Sequence, residues 1–62
     1  MGEKIRELRE EKRMSQEELA KRSGISRQTI SSLETGKVDS VTTGTIEAIA
    51  KALEVSVSIF FS

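Results

Sequence analysis

One short pattern recurs four times along the chain and constrains it more than any other feature. An apolar residue is followed by Ser or Thr, then by three residues, then by another apolar residue. It reads Met14-Ser15…Leu19, Ile25-Ser26…Ile30, Val41-Thr42…Ile46 and Val55-Ser56…Phe60. A hydroxyl at that place can accept a hydrogen bond from a first-turn backbone N–H, which has no partner inside its own helix. The bracketing apolar pair closes over the turn as a hydrophobic staple. At Ser15 the signal is strengthened by Glu18, three residues on, which completes a capping box. Four such starts, plus an N-terminal segment without a start signal of its own, predict five helices and an all-α fold.

The spacing of apolar residues sets the extents. A first helix is expected over residues 2–13, burying Ile5 and Leu8 and exposing alternating Glu, Lys and Arg. A second runs from Gln16 to Ser23 on Leu19 and Ala20, with Gly24 as the left-handed residue that ends it. A third runs from Arg27 to Thr35 on Ile30 and Leu33 and stops at Gly36 for the same reason. A fourth buries Ile46, Ile49, Ala50 and Leu53, at helical spacing. A last helix of one or two turns rests on Val57, Phe60 and Phe61. Residues 55–59 also alternate, so a short strand there is the competing reading. Lys37 to Gly44, rich in Thr, Ser and Gly, is the one stretch that reads as a loop.

The chain's 62 residues suffice for one domain, 1–62, near the lower limit of what folds without staples. Cys and His are both missing, so disulfides and thiolate or imidazole metal sites are excluded. No cofactor is expected. The longest apolar run, Ile59-Phe60-Phe61, is far too short to span a bilayer. Met1-Gly2-Glu3-Lys4 leads straight into a charged helical pattern, and no secretory leader is visible there.

Net charge is zero, which is awkward for a nucleic-acid partner. The charge is uneven, however. Between residues 21 and 37, Lys21, Arg22, Arg27 and Lys37 stand against Glu34 alone, whereas both flanking stretches carry an acidic surplus. Attraction to phosphate is local at physiological screening, so the sign of the contacting face decides the matter.

The second and third helices are the informative part. Their link, Ser23-Gly24-Ile25-Ser26, is tight enough to force a steep crossing, and Ala20 can allow close approach there. The outward residues of the third helix are Arg27, Gln28, Ser31 and Ser32. All are hydrogen-bonding and none is acidic. Arg can pair bidentately with guanine and Gln with adenine.

The segment Gln16-Glu17-Glu18-Leu19-Ala20-Lys21-Arg22-Ser23-Gly24-Ile25-Ser26-Arg27-Gln28-Thr29-Ile30-Ser31-Ser32-Leu33-Glu34 resembles the phage-repressor-like (XRE or Cro-type) helix-turn-helix regulators. The likeness extends through Leu8-Arg9…Met14-Ser15, Gly36-Lys37, Thr45-Ile46…Ile49-Ala50-Lys51-Ala52-Leu53 and Val55-Ser56. It implies a compact five-helix domain of the lambda-repressor-like type, with the helix-turn-helix at 16–35. It further implies a cytoplasmic DNA-binding transcriptional regulator, a repressor rather than an activator, acting as a homodimer on double-stranded DNA.

The resemblance assigns roles. Arg27, Gln28 and Ser32 are implied to read bases. Gln16, Ser26, Thr29, Ser31 and Lys37 are implied to touch phosphate, although Gln16 also suits a helix start and Lys37 a plain surface position. Arg9 and Glu34 are implied to form a structural pair between the first helix and the end of the third. Glu54 stands where glycine is common in such domains, and because it follows Leu53 just past the end of the fourth helix, a left-handed backbone is expected there. Ile59, usually polar in the family, is expected on the far side of its helix from Val57, Phe60 and Phe61. The dimer contact is therefore expected around Val41, Ile59 and Phe61. The alternative function is an antitoxin-like module that binds a toxin protein as well as DNA, and its mark would be an added partner-binding tail. Neither catalysis, a membrane nor a small-molecule substrate is expected, since no catalytic constellation is present.

Overall fold

A computed structural model describes residues 1–37 and 41–61. Val38, Asp39 and Ser40, in the middle of the expected loop, lie outside the described residues, as does Ser62.

Among the described residues, four α-helices follow in order: α1 (Gly2–Glu11), α2 (Gln16–Ser23), α3 (Arg27–Glu34) and α4 (Thr43–Leu53). A single 3-10 turn, Val57–Phe60, stands where a fifth helix was expected. The capping hydroxyls account for the starts. Ser15 accepts from the Glu18 N–H, Ser26 from Thr29, Thr42 from Thr45, and Ser56 from Ser58 at the 3-10 turn. The Glu18 carboxylate turns to Arg22, with Oε2 2.8 Å from Nη2, so the acid of the expected capping box forms an i,i+4 pair. Helix α1 has no side-chain cap; the Met1 carbonyl accepts from the N–H groups of Lys4 and Ile5.

The helix ends share one device. Arg13, Gly24, Gly36 and Glu54 all have left-handed backbones, with φ of 55, 75, 80 and 59°. Behind three of them the N–H of the next residue reaches back to close the final turn: Met14 to the Arg9 carbonyl, Lys37 to Ser32 and Val55 to Ala50. This arrangement shortens α1 from the expected residue 13 to Glu11, because Arg13 must reverse the chain for Met14 to reach the core. It also ends α3 at Glu34, before Gly36. At the other side of the loop, Thr42 draws Thr43 and Gly44 into the first turn of α4.

Arg13 and Glu54 hold this conformation at a cost, since a Cβ crowds the following carbonyl by roughly 1 kcal/mol or more in the left-handed region. Glu54→Gly is therefore expected to raise stability by about 0.5–1 kcal/mol, with part of the relief offset by the freer unfolded chain. A thermal melt reads this directly, and a lower midpoint in the glycine variant contradicts it.

Ile5, Leu8, Met14, Leu19, Ile30, Leu33, Ile49, Ala52 and Leu53 form one continuous core, to which α1 to α4 all contribute. Ile5, Leu19, Ile30, Ile49 and Leu53 are wholly enclosed, each contributing about 1.5–3 kcal/mol by leaving water. Helix α2 lies between α3 and α4, and α1 closes the far side against α3 and α4. The approach of α1 to α3 is tight at Gly2, where an added Cβ would overlap the Leu33 carbonyl and stand 2.8 Å from its carbon. Gly2→Ala is expected to cost about 1–2 kcal/mol by forcing the start of α1 off the end of α3. Chemical denaturation tests this, and an unchanged midpoint would mean the helices part freely.

The C-terminal segment corrects the expected facing. In an α-helix residues 57, 60 and 61 share a face and residue 59 lies opposite. At three residues per turn, 57 and 60 eclipse, while 59 and 61 fall to opposite sides. Ile59 and Phe60 accordingly pack against the core, and Phe61 is 66% exposed.

Candidate nucleic-acid interface

The turn Gly24-Ile25-Ser26 swings α3 away from α2 and presents its outer face. The Ser23 hydroxyl accepts from the Ile25 N–H at 3.2 Å, and Ile25 packs onto the core, so both ends of the turn are held. Burial of Ile30 and Leu33 then fixes the rotation of α3 and obliges Arg27, Gln28, Ser31 and Ser32 to face outward. These four, with Gln16, Thr35 and Lys37, line one shallow concavity. Among the described residues its charges are Arg27 and Lys37, and no described carboxylate lines it.

Among the described residues, the side chains of Gln28, Ser31, Ser32 and Lys37 make no hydrogen bond or ion pair. Their donors and acceptors are open to a ligand, with no internal bond to break first. Arg27 has a loose partner, Nη1 standing 3.7 Å from Glu17 Oε1. The Thr35 hydroxyl donates to the carbonyls of Ser31 and Ser32, so it lines the concavity with its proton already used.

Ser26 and Thr29 lie outside that concavity. The Ser26 hydroxyl both accepts from the Thr29 N–H and donates to Thr29 Oγ1 at 2.8 Å. Its one proton is spent there, while the Thr29 hydroxyl keeps its own proton to offer outward.

Behind the surface lies a charged knot. Arg9 donates through Nε to Glu34 Oε2 at 2.8 Å, through Nη2 to Oε1 at 3.1 Å, and through Nη1 to the Met14 carbonyl at 2.8 Å. Gln16 Nε2 donates to Glu34 Oε1 at 3.1 Å. The knot is largely withdrawn from water, the Arg9 and Glu34 side chains being 13% and 4% exposed. Hydrogen bonding to Glu34 pushes the Arg9 guanidinium up from its ordinary value, against the opposing effect of burial, so it stays charged. One carboxylate thus joins α1, the start of α2 and the end of α3. It consumes one N–H of Gln16 and leaves the other N–H and the amide oxygen for the concavity.

Sequence reasoning missed Thr35 and the bonds of Gln16 and Glu17. Thr35 could have been found, since it stands three and four residues beyond Ser32 and Ser31 on the same face. The positions expected at a dimer contact do not form one exposed patch. Val41 and Ile59 are half-buried against the core, while Phe61 is open. Among the described residues, no group of carboxylates could hold a metal ion, and no helix is long and apolar enough to cross a membrane.

A family model described as helix-turn-helix matches residues 5–60 of the chain. Comparison with curated proteins and with solved structures found no match.

Proposed function

The chain belongs to the phage-repressor-like helix-turn-helix family of DNA-binding regulators, and on that premise we propose that it represses transcription by binding a two-half-site operator as a homodimer. The observation that carries this reading is the concavity along α3, which among the described residues offers unpaired amide, hydroxyl and ammonium groups and no acid. In the proposed complex α3 lies in the major groove. Arg27 and Gln28 supply bidentate contacts to guanine and adenine, and Ser32 reads an adjacent base edge. Gln16, Ser31 and Lys37 hold the flanking phosphates, as does the outward Thr29 hydroxyl, while Ser26 keeps the start of α3 in place.

Dimerisation is supported by size. The longest dimension is 23 Å, whereas recognition helices on successive half-sites lie roughly 34 Å apart. One copy cannot serve both half-sites. The proposed contact centres on the open ring of Phe61, since Val41 and Ile59, also expected there, are half-buried against the core. Phe61→Lys then abolishes the dimer without loss of helical circular dichroism, read by sedimentation at micromolar concentration. A wild-type protein that stays monomeric alone and on DNA contradicts it.

DNA binding itself is tested by titrating labelled mixed-sequence duplex across salt concentrations. Affinity falling steeply with salt supports the reading, because each phosphate contact releases counterions. Binding that is absent even at low salt contradicts it.

A further inference from the structure

We propose that Glu17 is a specificity-determining residue of this surface. Its carboxylate steadies the Arg27 guanidinium for the edge of a guanine and withholds it from phosphate. The inference rests on α3 being the recognition helix.

Arg27 occupies the first position of α3, where the positive end of the helix dipole disfavours a cation. The first turn of α3 holds no acid to offset this. The compensating charge comes from α2, where Glu17 Oε1 lies 3.7 Å from Arg27 Nη1. The two side chains are 72% and 63% exposed, so the pair contributes little to the stability of the fold. Its effect is directional. A guanidinium carries five N–H donors, and Glu17, at 3.7 Å, balances its charge from one side without taking a donor in a hydrogen bond, leaving the fork to the concavity shared with Gln28, Ser31 and Ser32. An unrestrained arginine there would meet a phosphate of any sequence as readily as a base. A neighbouring carboxylate competes with phosphate for the positive charge, yet leaves free the fork that matches the neutral O6 and N7 of guanine.

The next residue supplies the contrast. Glu18, on the same turn of α2 and of the same charge, pairs with Arg22 at 2.8 Å. Arg22 lines a neighbouring concavity with Ser15, Glu17, Glu18 and Lys21, so the two acids share that surface and differ in which arginine each faces. Two adjacent acids thus repel DNA alike, and one of them touches the arginine assigned to base reading.

The test compares Glu17→Gln with Glu18→Gln in the full chain, each checked for unchanged helical circular dichroism. Affinity is measured for a selected operator, for the same duplex with the Arg27-dependent base pair changed, and for mixed-sequence duplex. Selection with Arg27→Ala identifies that base pair. Glu17→Gln is expected to cut discrimination at that pair by on the order of tenfold. It should also tighten mixed-sequence binding and steepen its salt dependence by about one phosphate contact, a slope change near 0.9. Glu18→Gln leaves discrimination intact, and in an Arg27→Ala background, where discrimination at that pair is already lost, Glu17→Gln changes it no further. A common gain on all three duplexes with discrimination preserved would mean that Glu17 acts as a repelling charge alone, and overturns the proposal. Equal erosion by Glu18→Gln overturns it as well. Wild-type protein that binds none of the duplexes overturns the DNA reading itself, and this proposal with it.

Discussion

Arg9→Ala is expected to destabilise the protein by about 2–4 kcal/mol, because it strands a carboxylate already removed from water. Glu34 is 4% exposed, and without Arg9 its remaining side-chain partner is the neutral amide of Gln16. A core of this size rarely supplies more than about 3–5 kcal/mol in total, so the variant should be largely unfolded near physiological temperature. Glu34→Ala is expected to cost less. Arg9 would keep the Met14 carbonyl, and its long side chain can reach water. The double variant should lose less than the sum of the two, with a coupling of about 1–3 kcal/mol in a denaturant-based cycle. Full additivity would mean that the two side chains do not support each other.

On DNA, Arg27→Ala or Gln28→Ala should each weaken operator binding by about 1–3 kcal/mol and relax the preference at particular base pairs. Lys37→Ala should weaken every sequence alike and reduce the salt slope by about 0.9. The difference follows from geometry. Arg27 and Gln28 begin α3, and the first turn of a recognition helix penetrates deepest among the base edges. Lys37 follows the left-handed Gly36, past the end of α3, and is assigned to phosphate in the proposed complex. If Lys37→Ala shifted the preferred sequence and Gln28→Ala did not, the assignment of readers and clamps would be reversed.

What could be read from the chain divides along physical lines. The hydroxyl caps and the apolar stripes were legible because both depend on spacings of a few residues, and they located the start of every element after the first. Gly24 and Gly36 advertised the ends of α2 and α3. Glu54 was expected to be left-handed from its place after Leu53 alone, and it is. Arg13 gave no such sign, so α1 was drawn two residues too long. The last element was misread as α-helical because four residues are too few to separate a period of 3.6 from one of 3, and that choice decides whether Ile59 or Phe61 faces water. The Gln16–Glu34 bond spans eighteen residues and depends on how α2 meets α3, which no local pattern records. The outward face of α3 was legible because two buried residues, Ile30 and Leu33, fix the rotation of a helix this short.

Selection of binding sites from random duplexes, using the wild-type chain, tests the central claim most directly. The account predicts enrichment of a two-fold symmetric sequence with half-sites about one DNA turn apart. Within each half-site, preference should be lost at different base pairs in Arg27→Ala and Gln28→Ala. Failure of any sequence to enrich, or enrichment of a motif indifferent to both substitutions, would contradict the assignment of α3 as the element that reads DNA.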